Sequence, residues 1–358
     1  MIYKYWLANI QKLNKSTLKD LLEAAGSAET IYRLKRKELL QAARWQEDQL
    51  DWFLQYKKSW DLQKEWEKFQ KSGMSLVTLE QEEYPARLRE IYDAPYGVFY
   101  YGSLQVFQGK TAGIVGARKC SEYGKHMAEE LAGNLSAAGI SVVSGMAEGI
   151  DAAAHIGTIK AEGDTAAVLG CGANICYPAK NRKLYDNIRL NGCVLSEFPP
   201  GEPPLAWHFP ARNRIISALC DILIVVEARE RSGSLITADF ALEQGKDVYA
   251  VPGRATDDLS RGCNELIRQG AGIITGSSSF PEELQTCENL SFGQTSFKLP
   301  LEKDEMLLYS CFDLYPKGLE EILFETPFSC TELPELIISL QSKGYIKEVF
   351  KNQYIKSK

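Results

Sequence analysis

Four glycine-bearing turns between about residues 113 and 234 contain the side chains best suited to bind an anion, and three of the four carry an arginine or a lysine. The first, second and fourth follow an apolar, strand-like run and open a helix-like run. Helix N-termini have free N–H groups that bind anions, and glycine lets a phosphate approach the backbone. The set therefore predicts a ligand with more than one phosphate, either a nucleotide or a strand of nucleic acid. The turns are Gly116-Ala117-Arg118-Lys119-Cys120-Ser121, Gly145-Met146-Ala147-Glu148-Gly149-Ile150-Asp151, Gly170-Cys171-Gly172 with the later Tyr177-Pro178-Ala179-Lys180-Asn181-Arg182, and Arg231-Ser232-Gly233-Ser234.

The first turn places Arg118 and the Ser121 hydroxyl beside a helix N-terminus, where a guanidinium could hold a phosphate bidentately. It lacks the GxGxxG dinucleotide fingerprint and the acidic residue that would hold a ribose, and no Walker A motif is present. An ordinary surface arginine is the alternative interpretation, and the motif alone leaves both open.

In the second turn, Gly145 and Gly149 predict a close approach of the backbone to a ligand. We predict that Asp151 is a helix N-cap rather than a catalyst, and that His155, one turn further on, is a packing residue.

Basic residues follow the third turn, and hydroxyls surround the fourth. Lys180, Arg182 and Lys183 form a cluster that is either a phosphate contact, which we favour, or solvated surface. The last turn offers Gly233, Ser234 and Thr237 as an anion nest in which hydroxyls replace charge.

An aromatic and basic segment opens a predicted helix near residue 209. Arg212 and Arg214 flank Asn213 and follow Phe209, a combination suited to a nucleic-acid strand because aromatics stack on bases and arginines hold phosphates. A helix cap with buried aromatics is the alternative. Phe209 and Tyr123 are the candidates for base stacking.

The bulk composition is that of an ordinary globular protein. The 358 residues suit two or three domains, with 45% hydrophobic and 25% charged residues. The net charge of −6 argues against a nucleic-acid binder, but the arginines and lysines concentrate in the turns, so a positive groove on an acidic body is possible. Nine scattered cysteines predict reduced thiols in the cytoplasm, and no signal peptide, membrane span, metal site or cofactor motif is evident.

The pattern along the chain predicts four regions. Residues 1–72 form a helical domain, and 73–276 form an α/β domain whose first part, 73–110, supplies lead-in strands. In 111–275, apolar strands alternate with helices, which predicts a Rossmann-like, doubly wound, mostly parallel sheet with ligands at the carboxyl ends of its strands. Residues 277–304 are a linker, and 305–358 suit a winged helix of three helices and a hairpin. The predicted strands are Ala112–Val115, Ser141–Ser144, Ala166–Leu169, Cys193–Ser196, Ile222–Glu227, Asp247–Val251 and Gly272–Ile274.

The motifs, taken together and in order, resemble the DNA-processing protein A family, also called DprA or Smf. The resemblance is strong over roughly residues 75–275. The residues that carry it are Gly116-Ala117-Arg118, Ser121-Glu122-Tyr123-Gly124, Ser144-Gly145-Met146-Ala147-Glu148-Gly149-Ile150-Asp151, His155, Tyr177-Pro178, Asn181, Phe209-Pro210, Arg212-Asn213-Arg214-Ile215-Ile216, Ser232-Gly233-Ser234, Thr237-Ala238 and Val251-Pro252-Gly253.

The resemblance implies a cytoplasmic, dimeric, non-catalytic protein that binds single-stranded DNA and helps load the RecA recombinase during natural transformation in competent bacteria. It implies that Arg118 and residues 180–183 hold the strand, and that Arg212, Arg214, Gly233 and Ser234 complete a phosphate pocket. Residues 12–17 depart from the glycine-rich hairpin common in the family, so the resemblance implies no DNA contact by the N-terminal domain. Residues 277–358, with 13 acidic and 8 basic groups, are interpreted as a protein-interaction or structural wing.

A nucleotide-processing enzyme on the same fold, similar to a phosphoribohydrolase, is the alternative function. The spacing of Gly145 and Gly149 faintly resembles the glycine motif of that group. Its Pro-Gly-Gly-x-Gly-Thr-x-x-Glu run is absent, because Arg231-Ser232-Gly233-Ser234 stands at the equivalent place and no Glu follows Thr237 at the required offset.

Overall fold

The computed structural model describes residues 1–284, 303–312, 317–326, 328–329, 332–343, 345–350 and 352–356. The chain divides into two compact units, Met1–Pro281 and Glu282–Lys358. Most of the linker predicted over 277–304 lies outside the described residues.

Short helices build the N-terminal region around a core of aromatic side chains. Trp6 and Phe53 are fully buried, and the ring of Tyr5 stacks on Phe69 with centroids 4.5 Å apart. Gly26 ends the second helix in the left-handed conformation (φ 70°), as the sequence predicts for a helix stop. This core also includes Phe99 from the central sheet, so the helices pack directly on the sheet. The helices are α1 Ile2–Ala8, α2 Lys15–Ala25, α3 Ala28–Arg33, α4 Arg36–Ala42, α5 Glu47–Ser59, α6 Leu62–Lys71 and the later α7 Ala86–Arg89.

A nine-stranded sheet forms the centre of the first unit. Its strands are β1 Ser75–Thr78, β2 Gly97–Gly102, β3 Thr111–Val115, β4 Ser141–Ser144, β5 Thr165–Val168, β6 Cys193–Ser196, β7 Ile222–Val225, β8 Asp247–Ala250 and β9 Gly272–Ile273. Their order is β1-β2-β6-β5-β4-β3-β7-β8-β9, and the seven strands from β3 to β9 pair in parallel. The two antiparallel pairs of this sheet both involve β2, which pairs with β1 on one side and with β6 on the other. The seven strands predicted from apolar runs are confirmed to within two residues at each end, because strands buried on both faces are apolar throughout.

Helices connect the parallel strands and cover both faces. They are α8 Glu122–Ala137, α9 Ile150–Lys160, α10 Arg182–Asn191, α11 His208–Leu219, α12 Gly233–Glu243 and α13 Asp258–Arg268. Helix α8 packs on α9, and α11 packs on α12. The chain runs outward from β3 to β6, then returns through α11 to β7 on the other side of β3. This reversal creates a crevice at the carboxyl ends of β3 and β7, the place where doubly wound folds bind ligands. The predicted α/β Rossmann-like fold is confirmed.

The second unit has three described helices, α14 Lys303–Ser310, α15 Leu319–Glu325 and α16 Leu333–Ser342, and three strands, β10 Lys317–Gly318, β11 Ile346–Phe350 and β12 Gln353–Lys356. The strands pair antiparallel in the order β10-β12-β11. Leu308, Ile322 and Leu340 are fully buried in its core. The helices and the hairpin match the sequence prediction, while the winged-helix assignment remains a prediction.

Two features of the described ranges concern membrane-spanning helices and disulfides. No helix in them is long and apolar enough to cross a membrane. The seven cysteines that they contain are all free thiols.

Candidate nucleic-acid interface

A cavity of about 480 Å³ opens at the crevice between the carboxyl ends of β3 and β7, and we call it the switch-point cavity. Its walls come from the turns after β3 and β4 and from the first turns of α11 and α12. The sequence-predicted residues that line it are Gly116, Arg118, Phe209, Arg212, Asn213, Gly233, Ser234 and Thr237. Its lining does not include Ser121, Tyr123, Gly145, Gly149, Lys180, Arg182, Lys183 or Arg214.

An exposed cation and two aromatic rings meet in this cavity. The guanidinium of Arg118 lies 5.3 Å from the centre of the Phe209 ring, and the Tyr177 ring lies 5.5 Å from Phe209. Among the described residues, no carboxylate or other hydrogen-bonding group pairs with Arg118, which is exposed. The Phe209 ring occupies the space that a Cβ on Gly170 would need. The result is an uncommitted positive charge beside an aromatic platform.

Arg212 also lines the cavity but is only 4% exposed. Its Nη1 donates to the carbonyl of Gly145 at 2.7 Å and to that of Val168, which ties α11 to the ends of β4 and β5. A Cβ on Gly145 would lie 2.6 Å from Nη1, so the glycine makes room for the guanidinium rather than for a ligand. Burial lowers the pKa of Arg212 to about 10, and Arg212 therefore stays charged at neutral pH.

The buried carboxyl of Asp151 also lies in the cavity wall. Burial raises its pKa, and the charge of Arg212 opposes the rise. The carboxyl accepts a hydrogen bond from the Ala147 N–H at 3.4 Å. The prediction that Asp151 caps α9 is wrong, because Gly149 is the N-cap and Asp151 is the second residue of the helix.

Gly149 makes its close approach to protein backbone. Its φ of 82° lies in the region that favours glycine, and a Cβ there would overlap the carbonyl oxygens of Ala117 and Arg118. The expected approach of this backbone to a ligand is therefore not what the structure shows. His155 is fully buried with Nδ1 2.7 Å from the Thr165 hydroxyl, and burial lowers its pKa to about 3, which fits the predicted packing role.

The N-terminus of α8 is occupied by a carboxylate from the protein itself. Glu227 accepts hydrogen bonds from the Ser121 N–H at 2.9 Å and from the Ser121 hydroxyl at 2.5 Å. Its backbone carbonyl accepts from the Ala117 N–H at 2.8 Å. The carboxylate lies where a Cβ on Gly124 would stand. Glu227 thus fills the position predicted for a phosphate and fixes both ends of the turn that carries Arg118. A phosphate contact by Ser121 stays a prediction.

Arg214 does not reach the cavity, contrary to the prediction. It is 4% exposed, donates from Nε to Asp93 at 2.8 Å and from Nη2 to Glu197, and so belongs to a partly buried ion cluster. Burial raises the pKa of Glu197, and Arg214 opposes the rise. Lys15 of α2 binds the same Asp93 carboxylate at 2.8 Å, which links the cluster to the N-terminal helices.

At the start of α12, the polar groups that line the cavity are hydrogen-bonded to other groups of the protein. The Asn213 side chain donates to the Gly233 carbonyl at 3.1 Å, and the Thr237 hydroxyl donates to the same carbonyl at 3.4 Å. The Ser232 and Ser234 hydroxyls lie 2.6 Å apart. These contacts hold the nest in place at the cavity wall.

The basic cluster lies on exposed surface outside the lining. Lys180 is 3.4 Å from Glu148, and Arg182 donates to Asp186 at 2.9 Å. Lys183 is exposed with no ion pair to a described residue. The role of Lys180, Arg182 and Lys183 as a phosphate contact stays a prediction.

The sequence analysis named Tyr177 and Asp151 within the glycine-bearing turns but did not assign them to the site, and both line the cavity. Tyr177 could have been found, because an aromatic residue directly precedes Pro178 at the end of the third turn. Within the described ranges, no group of three or more His, Cys, Asp or Glu side chains could hold a metal ion.

Comparison with known proteins defines the class to which this fold and cavity belong. The family model "DNA recombination-mediator protein A" matches residues 75–285, and the chain belongs to that family. It is 46% identical over 202 residues to the DNA processing protein DprA of Streptococcus pneumoniae, covering 56% of this chain and 71% of the relative. It is 42% identical over 217 residues to that of Bacillus subtilis, covering 60% and 73%.

Solved structures give the same result. An X-ray structure of the Streptococcus pneumoniae protein matches with a TM-score of 0.71 and 36% identity over 79% of this chain and 98% of the other. A structure of DNA processing protein A from Helicobacter pylori, described for its single-stranded DNA binding mode, matches with a TM-score of 0.55 and 29% identity. That match covers 60% of this chain and 96% of the other.

Proposed function

We propose that this protein binds single-stranded DNA across the switch-point cavity and acts as a recombination mediator. The observation that carries the proposal is the uncommitted Arg118 guanidinium beside the Phe209 ring at the mouth of the cavity. Arginine binds phosphate bidentately, and an aromatic face stacks on any base, so the pair suits a strand without sequence preference.

The geometry favours a single strand over a duplex. Phe209 and Tyr177 lie in the wall of a concave cavity of about 480 Å³, where a base has to leave a stack to reach them. Bases in a duplex are paired and stacked, and flipping one out costs a few kcal/mol. Membership of the recombination-mediator family and the single-stranded DNA binding described for the Helicobacter pylori protein support the same ligand.

The rest of the proposal follows the resemblance. The bound strand would be passed to the RecA recombinase in the cytoplasm, by a homodimer, during natural transformation. We propose no catalysis and no cofactor. The second unit, with a helix–strand–helix–helix–strand–strand order that suits a winged helix, would serve protein contacts rather than DNA.

One observation favours the enzymatic alternative. Asp151 is buried in the cavity wall and its pKa is raised by burial, a combination found at catalytic acids. Release of free base from AMP, measured with and without Asp151→Asn, tests it: robust turnover that the variant loses would replace the mediator proposal with a phosphoribohydrolase.

The test of the function itself is fluorescence anisotropy of a labelled poly-dT strand at several salt concentrations, with duplex as competitor. We expect preferential single-strand binding, with log K falling against log[salt] by about 0.7 for each phosphate contacted. A folded protein that binds no single strand, or binds duplex equally well, would overturn the proposal.

A further inference from the structure

A second cavity, of about 1070 Å³, opens beyond the turn that carries Arg118. Its walls are the start of α8, the segment after β7 and the segment after β8. Gly116 and Arg118 line the switch-point cavity, whereas Ser121 at the end of the same turn lines the second cavity. Residues 116–121 are thus a ridge between two neighbouring openings on the same edge of the sheet.

Two arginines in the second cavity have no partner. Arg229 and Arg254 line it and are exposed, and their guanidinium groups form no ion pair or hydrogen bond within the described part of the chain. By contrast, Arg261 nearby forms ion pairs with Asp258 at 3.5 Å and with Glu230 at 3.9 Å. Two cations in one cavity without carboxylate partners are suited to an anionic ligand.

The acidic groups of this cavity leave the two arginines uncommitted. The Glu227 carboxylate is bound to Ser121, and Asp258 lies nearest to Arg261. Asp257 is the N-cap residue of α13, where a negative charge is favourable. Because Glu227 already fills the N-terminus of α8, an incoming phosphate has to be bound by side chains here rather than by that helix end.

The aromatic residue of this cavity is Tyr123, on the first turn of α8, with 55% of its surface exposed. The second cavity therefore repeats the combination found in the first, an uncommitted guanidinium together with an accessible ring. Aromatic faces and cations alternating along one groove are typical of sites that bind several successive nucleotides of a strand.

We propose that the second cavity is a further subsite for the same single strand, which crosses the ridge at Arg118. Arg229 and Arg254 bind phosphates there, and Tyr123 stacks on a base. This proposal rests on the function proposed above, since it extends the strand from the switch-point cavity.

A length series of labelled dT strands tests the proposal on the full chain. The variants are Arg229→Ala/Arg254→Ala, Tyr123→Ala and Tyr123→Phe, and the control is Arg268→Ala, which removes one positive charge at the far end of α13. Strands long enough for one cavity should bind the wild type and all variants alike. Longer strands should gain affinity on the wild type and the control, but about tenfold less on the double variant, whose salt slope should fall by about 1.4 at about 0.7 per lost contact. Tyr123→Ala should lose part of the gain, and Tyr123→Phe should keep it.

The outcomes separate the two proposals. If the wild type binds no single strand of any length, both are overturned. If the wild type binds, Arg118 is required, and the double variant and Tyr123→Ala follow the control at every length, the second subsite alone is overturned. The three substituted side chains are exposed, and equal thermal midpoints would show that the fold is kept.

Discussion

Arg118 and Arg214 were predicted to share one task, yet the molecule uses them in opposite ways. Arg118 is exposed beside Phe209 and forms no ion pair with a described residue. Arg214 is 4% exposed and bound to Asp93 and Glu197. Arg118 follows a glycine, Arg214 follows an aromatic residue, and both lie near the start of a helix. The local sequence therefore does not show which of the two is exposed and which is buried. The difference lies in whether another part of the chain supplies a carboxylate.

The N-terminus of α8 likewise depends on a carboxylate from a distant part of the chain. Its glycine-bearing turn has the features of a phosphate site, but Glu227, 106 residues further on, occupies it. An anion nest in a sequence therefore identifies a place for negative charge, and the fold decides whether a ligand or the protein provides it.

The largest effect that separates the two arginines is expected on stability. Arg214→Ala leaves Glu197 without its partner, and removing one member of a buried ion pair costs about 3–5 kcal/mol. Urea unfolding should show this loss, while Arg33→Ala, which breaks the exposed pair with Glu29, should cost about 0–1 kcal/mol. A stable Arg214→Ala protein that no longer binds single strands would place Arg214 in the DNA interface. The two arginines would then have the same role.

The next effect should fall on the aromatic platform. Phe209→Ala removes a stacking face, which is worth about 1–3 kcal/mol per base, so single-strand affinity should fall by about fivefold or more. Trp207→Ala is the matched control, because Trp207 is 68% exposed, two residues away and outside the lining of the cavity. Equal losses in the two variants would remove Phe209 from its proposed role.

A smaller effect on single-strand affinity is expected from Glu227, the carboxylate that occupies the N-terminus of α8. Glu227→Gln keeps the shape but weakens the two contacts to Ser121, so the turn that carries Arg118 should loosen and single-strand affinity should fall a few-fold. Burial and the Glu227 charge both raise the pKa of the Cys120 thiol. The variant should therefore lower that pKa and speed alkylation of Cys120 at fixed pH, as read by mass spectrometry.

The control for this change is Glu230→Gln, since Glu230 is exposed and lies close to Glu227 in the sequence. An unchanged rate of Cys120 alkylation together with unchanged affinity would show that Glu227 does not hold the turn.

The sheet could be predicted almost completely from the sequence, and the cavity only in part. Apolar runs such as Ile222–Val225 become strands because both faces of the sheet are buried there, and the residue types alone indicate this. The glycine turns then fall at the carboxyl edge by topology alone, which brought Arg118 and Gly233 to one cavity.

Side-chain direction and distant partners account for what was missed. A helix turns about 100° per residue, so Arg212 and Arg214 point about 200° apart and cannot both face the cavity. That error was avoidable from helix geometry. The pairing of Ser121 with Glu227, and of Arg214 with Asp93, depends on contacts across more than 100 residues that no local pattern contains.

Arg118 is the proposed cation that binds the strand, and Arg118→Ala in the anisotropy assay at several salt concentrations tests that role. We expect single-strand affinity to fall about tenfold and the salt slope to shrink by about 0.7, with stability within about 0.5 kcal/mol of wild type because the side chain is exposed. Arg118→Lys should recover part of the affinity, and Arg268→Ala should change nothing. A folded Arg118→Ala protein with wild-type affinity and salt slope would show that Arg118 does not bind the strand.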